Sequence, residues 1–96
     1  MSETESDFAT WLEDLARLYK WAYYHTWRSE HSSPGWPDYV LARPPRLFFV
    51  ELKSQKGQIT PPQLAWVEML RQCRQEVYIW RPDDRPEIEK ILTETE

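Results

Sequence analysis

The sequence predicts a single α/β unit spanning residues 1–96, with the order helix, three strands, helix, strand, helix around a mixed four-stranded sheet. Three observations carry this. Apolar residues recur at helical spacing from Phe8 to Tyr19. Two strand-like runs flank the short turn Arg43-Pro44-Pro45-Arg46. A strand–helix–strand pattern then occupies positions 47–81. Ninety-six residues are enough for one core and too few for two.

The first helix has a start signal in Ser2-Glu3-Thr4-Glu5, where Ser2 and Glu5 stand at capping-box spacing and Ser6 is an alternative cap. Phe8, Trp11, Leu12, Leu15, Ala16 and Tyr19 form its apolar stripe, and the helix is expected to end near Lys20. Trp21 to Trp27 is rich in aromatic residues and reads as a strand, and the polar stretch Arg28 to Pro34 reads as a loop. Asp38 to Ala42 is the second strand. Pro37 fits only at its start, because proline donates nothing to a ladder. Leu47 to Ser54, the most apolar run, is expected at the centre of the sheet, antiparallel to the second strand.

After Lys56-Gly57-Gln58, the sequence Thr60-Pro61-Pro62-Gln63 combines a threonine cap, proline at the first helical position and glutamine three residues after the cap. Leu64, Val67, Leu70 and Cys73 are expected on the buried face of this helix, with Trp66 beside them. Glu76 to Arg81 is the fourth strand, parallel to the third through a right-handed crossover. Asp83-Asp84 and Pro86 open a last helix with Ile88, Ile91 and Leu92 on its apolar side.

Charge is unevenly spread. Residues 1–14 hold five acids and no base, and residues 83–96 hold six acids and two bases. The intervening residues hold ten bases and five acids, so a basic middle carries a chain of net charge −4. This predicts modest, salt-sensitive binding to a polyanion rather than tight duplex binding. A lone cysteine, Cys73, excludes an internal disulfide, and with His25 and His31 it makes a poor zinc set. The acidic N-terminus lacks an apolar run, and no segment reaches membrane-spanning length, so a cytoplasmic setting is expected.

The chemistry gathers at Gly35-Trp36-Pro37-Asp38 and Glu51-Leu52-Lys53. Alternation along a strand puts Glu51 and Lys53 on one face with Leu47 and Phe49, opposite Phe48, Val50 and Leu52. Asp38 opens the paired strand and is expected alongside Glu51. Two carboxylates at close range repel unless a cation lies between them. Mg²⁺ or Mn²⁺ suits hard oxygen donors, with the Leu52 backbone carbonyl as a third. Such a cation acidifies water and polarises a phosphate oxygen. Lys53 would orient or deprotonate the water, or neutralise charge on phosphorus.

The Gly-x-Pro-Asp and Glu-x-Lys motifs, followed by Gly57, Thr60, Pro62 and Gln63, resemble the VRR-NUC branch of the PD-(D/E)XK nuclease superfamily, most closely its small stand-alone phage and bacterial members. The resemblance runs from about Phe8 to Asp84. It implies a restriction-endonuclease-like fold and Mg²⁺- or Mn²⁺-dependent hydrolysis of DNA phosphodiesters, often by homodimers on branched DNA such as four-way junctions. By resemblance Asp38 and Glu51 are metal ligands, Lys53 is the catalytic lysine and Gln63 supports the site. A further acid is expected on the first helix. Glu5, which flanks the apolar stripe, is preferred to Glu13. Glycines usual in the family before the first and last strands are replaced by Lys20 and by Arg74-Gln75-Glu76.

Arg28 and Lys56 are the favoured phosphate contacts among a set that includes Arg43, Arg46 and Arg74. His25 is a candidate supporting residue, whereas His31 reads as a solvated loop residue. Trp66 and Trp80 suit either the core or a dimer interface, and of Tyr23 and Tyr24 one is expected buried and one exposed. Two other functions fit the same residues: a non-catalytic DNA-binding or assembly module, and a ribonuclease with the same metal chemistry.

Overall fold

A computed structural model describes residues 4–26 and 33–94. Helix α1 (Glu5–Leu18) is followed by strands β1 (Ala22–His25), β2 (Tyr39–Arg43) and β3 (Arg46–Leu52). Helix α2 (Pro61–Gln72), strand β4 (Glu76–Trp80), one 3₁₀ turn (Pro82–Asp84) and helix α3 (Arg85–Thr93) complete the chain. The sheet order is β1-β2-β3-β4, antiparallel except for the parallel β3–β4 pair, which α2 connects. This is the predicted element order, and β3 lies inside the sheet as expected.

The cap of α1 differs from the prediction. Thr4 accepts the Asp7 N–H and Asp7 accepts that of Thr4, so the reciprocal box sits two residues later than the Ser2–Glu5 pair. Ser2 lies outside the described residues, and Ser6 is inside the helix. At the other end Trp21 N–H reaches Ala16 and Lys20 N–H reaches Arg17, a Schellman closure in which Lys20 adopts φ 69°. Helix α2 closes in the same way: Gln75 N–H reaches Leu70, Arg74 N–H reaches Arg71, and Arg74 adopts φ 62°. Both left-handed residues therefore stand where the resemblance led us to expect glycine.

One face of the sheet, carrying Tyr39, Leu41, Phe48, Val50, Leu52 and Trp80, packs on Phe8, Leu12 and Ala16 of α1 and on Ile88, Ile91 and Leu92 of α3. Each fully buried apolar side chain contributes about 1.5–3 kcal/mol. Trp80 is 1% exposed and belongs to this core, which removes it as an interface residue. Trp21 donates its indole N–H to the Leu92 carbonyl at 2.9 Å, tying the start of β1 to the end of α3.

The other face is covered by α2 less completely than its sequence suggested. Val67 is buried, but Leu64 is 45% exposed and Cys73 is exposed at the helix C-terminus. Trp66 instead leans on Trp36, which in turn meets Phe49 edge-on, so these aromatic contacts and the buried Val67, rather than a full aliphatic stripe, join this helix to the sheet. Among the described residues no helix is long and apolar enough to cross a membrane.

Candidate active site

The site forms at the end of the sheet where β2 begins and β3 finishes. Gly35 makes the turn before β2 possible: its φ is +86°, and a Cβ there would stand 2.4 Å from the Pro62 carbonyl carbon. The chain then runs through Trp36 and Pro37 to Asp38, held by two bonds from the end of β1. Thr26 donates its hydroxyl to the Pro37 carbonyl and its N–H to the Asp38 carbonyl, each at 2.8 Å.

Tyr39 pairs with Val50, so extending the register by one step sets Asp38 opposite Glu51. Paired residues share a face, so the two carboxyl-bearing side chains are set side by side. Asp38 Oδ2 also accepts the Leu52 N–H at 2.8 Å. A strand residue points its N–H and C=O to the same side, so the Leu52 carbonyl is directed toward the β2 edge where Asp38 lies.

Glu51 is 1% exposed, the one charged residue among the buried positions of the described residues. Its Oε1 accepts the Gln63 side-chain amide at 3.3 Å, and its Oε2 is buried without a hydrogen-bond partner. Burial holds the Glu51 carboxyl well above the usual carboxylate range. Proximity to Asp38 and the charge of Glu5 reinforce this, and Lys53 opposes it. Without a cation, Glu51 therefore retains its proton near neutral pH.

Gln63 reaches Glu51 from the first turn of α2. Its Oε1 accepts the Thr60 N–H at 3.0 Å and its own N–H binds the Thr60 hydroxyl, so the predicted capping box is formed. One side chain thus caps the helix and contacts the buried carboxylate.

Lys53 continues β3 by one residue, its N–H bound to the Trp80 carbonyl at 3.0 Å. Its half-buried stem passes beside Gly57, whose added Cβ would lie 3.6 Å from Lys53 Cδ. The turn that confines it is gripped by Arg81, which donates to the carbonyls of Ser54 and Gly57 at 2.7 Å and of Gln55 at 3.3 Å. Sequence reading assigned Arg81 only to the end of the fourth strand. The available signal was an arginine following a buried strand that runs parallel to the one bearing Lys53.

Glu5, with His25, Asp38 and Leu52, lines a cavity of about 300 Å³ on the α1 side of this sheet end. Glu13 is committed elsewhere: it accepts from the Tyr39 and Tyr23 hydroxyls and lies 3.8 Å from His25 Nδ1. His25 stacks on Tyr39 with ring centroids 4.4 Å apart. Among the described residues no three His, Cys, Asp or Glu side chains gather as a ready metal cage. The site instead offers two carboxylates and a carbonyl, with Glu5 set back across the cavity.

This donor set fits a hard divalent cation. A bare Glu51 oxygen with no partner, facing a second carboxylate, is the arrangement that such an ion would complete.

Of the expected phosphate contacts, Lys56 is exposed in the turn after Lys53 and Arg28 lies outside the described residues, as does His31, the expected solvated loop residue. Arg43 and Arg46 are structural. Arg43 binds the carbonyls of Tyr19, Leu92 and Glu94, and Arg46 pairs with Glu76. Both belong to the hairpin turn at the opposite end of the sheet from Asp38. Arg74 terminates α2.

No protein-family model matches the chain, and comparison with curated proteins found no similar sequence.

Proposed function

We propose that this chain is a Mg²⁺- or Mn²⁺-dependent endonuclease that hydrolyses DNA phosphodiester bonds, with a restriction-endonuclease-like fold of the VRR-NUC type. The observation that carries the reading is the buried, unpartnered Glu51 oxygen set against Asp38, with Lys53 on the same face. Burying Glu51 beside a second acid for stability alone is unfavourable, since desolvation and like-charge proximity both oppose it. The left-handed Lys20 and Arg74 add support, because the family pattern expects glycine at those two turns.

In this reading Asp38, Glu51 and the Leu52 carbonyl would hold the cation, with Glu5, in the lining of the adjoining cavity, as a further acid. The cation would supply Lewis-acid polarisation of a phosphate oxygen and acidify the attacking water. Asp38 is fixed by the Leu52 N–H, and Glu51 is fixed by Gln63, so both acids are aimed before substrate arrives. Lys53 brings its amine to the same face, where it orients the water or offsets charge developing on phosphorus. Branched DNA is the proposed substrate class, a homodimer the proposed working form and the cytoplasm the proposed setting.

The direct test is cleavage of linear, flapped and four-way-junction DNA with Mg²⁺ or Mn²⁺, comparing wild type with Lys53→Ala. The nuclease reading requires that wild type cuts and the variant does not. Equal binding of branched DNA by both, with no cutting by either, would leave a non-catalytic binding or assembly module. The internal pairing of Arg43, Arg46 and Arg81 weighs against that alternative, because it withdraws cations that such a module would need. Matched RNA competitors distinguish a ribonuclease.

A further inference from the structure

Two cavities continue from Asp38 away from α1. One, of about 570 Å³, is lined by Thr26, Trp36, Asp38, Thr60 and Gln63 among others. The next, of about 380 Å³, is lined by Tyr24, Thr26, Ser33, Trp36 and Trp66. They share Thr26 and Trp36, so the two adjoin as a trough that runs from Asp38 to an aromatic wall. Both volumes lie in the range of sites that hold small organic groups.

The chemistry of that wall is selective. Among the described residues no lysine or arginine lines either cavity. Nor, among the described residues, does leucine, isoleucine or valine line them. It presents flat rings and neutral hydroxyls. Trp36 and Trp66 meet perpendicularly with centroids 4.9 Å apart, and Tyr24 is 62% exposed beside them. Thr26 donates its proton to Pro37, which leaves its oxygen able to accept from an exocyclic amine. Flat faces with a few hydrogen-bonding edges are what a nucleobase recognises.

We infer that Tyr24, Trp36 and Trp66 form a stacking site for one unpaired nucleobase of the substrate strand, next to the bond facing Asp38 and Glu51. The inference rests on the nuclease reading and narrows it. The favoured substrate carries an unpaired or extruded nucleotide beside the cut, as in a flap or bulge, in preference to a fully paired arm. A base inside a duplex keeps both faces stacked on its neighbours and cannot enter the trough.

The test uses the full chain with Lys53→Ala to suppress cutting, in the presence of Mg²⁺. The probe is a short single-stranded deoxyoligonucleotide containing a fluorescent adenine analogue, compared with the same strand in a perfect duplex. The expected result is quenching of the analogue on binding and preference for the single strand. Adding Trp66→Leu should abolish quenching and weaken binding roughly ten- to a hundredfold. Trp66→Phe, which restores a ring, should recover most of it. Tyr24→Leu, at an exposed position, should weaken binding without altering the thermal midpoint. Unchanged binding and quenching in both leucine variants would overturn the inference, as would a lack of single-strand binding by the Lys53→Ala protein. A Trp66→Leu change confined to the sedimentation of the free protein would assign the wall to a second copy of the chain instead. If wild type quenches the probe but cuts nothing, the nuclease reading falls while the stacking site stands.

Discussion

The Asp38 carboxylate accepts the backbone N–H of Leu52 at 2.8 Å, so the residue that opens β2 is anchored to the strand that carries Glu51 and Lys53. Asp38 therefore has a structural role in addition to any catalytic one, and substitutions can separate them. Asp38→Asn keeps an acceptor for Leu52, whereas Asp38→Ala leaves that N–H without one, at a cost of about 1–3 kcal/mol. Both should lose metal-dependent cleavage by about a hundredfold or more. Thermal denaturation beside cleavage rates checks this: the asparagine variant should be inactive yet nearly as stable as wild type.

Glu51 should make metal-free stability fall as pH rises. Its folded pKa lies above the unfolded value of about 4.3, because it is buried beside Asp38. Between the two values the native protein holds a proton that the unfolded chain has released, so increasing pH favours unfolding until the folded pKa is passed. Glu51→Gln should flatten this slope and raise metal-free stability near neutrality by on the order of 1–3 kcal/mol. Mn²⁺ should restore stability to wild type and not to the variant. Melting temperatures across pH, with and without the ion, provide the measurement.

Lys20 and Arg74 occupy left-handed backbone at φ 69° and 62°, a region that disfavours side chains bearing a Cβ. Lys20→Gly and Arg74→Gly should each stabilise the protein by about 1 kcal/mol. Urea denaturation midpoints should move upward in both. A downward shift would mean that these side chains make contacts outweighing the strain.

Arg81 should influence turnover through Lys53. Losing its grip on the carbonyls of Ser54, Gln55 and Gly57 frees the turn that confines the lysine stem. Arg81→Met should lower kcat roughly ten- to a hundredfold, with a smaller change in KM. Hydrogen exchange at Gly57 should accelerate in the same variant. Arg81→Lys, which cannot reach three carbonyls at once, should recover only part of the rate.

The element order was legible because periodicity and turn chemistry act locally. Thr60-Pro61-Pro62-Gln63 states its helix start in four letters, and the hairpin follows from two short runs around Arg43–Arg46. The pairing of Asp38 with Glu51 could be anticipated because one turn length sets one register. What escaped was decided by competition or by distance. Ser2, Thr4 and Ser6 are all competent caps, and Asp7 selects Thr4 by answering it. Leu64 and Cys73 fit a helical stripe, yet α2 meets the sheet through Val67 and Trp66. The partners of Arg43 and Arg46 lie up to 51 residues away, beyond any local pattern. Likewise, nothing near Arg81 in sequence announces the carbonyls it binds.

Gly35 leaves no room for a side chain against the backbone of Pro62 and Gln63. Two stretches of chain, far apart in sequence, therefore constrain each other's evolution. Descendants that alter the turn before β2 must shift the beginning of α2 at the same time. Lineages of this protein should show those two segments diverging in step or not at all.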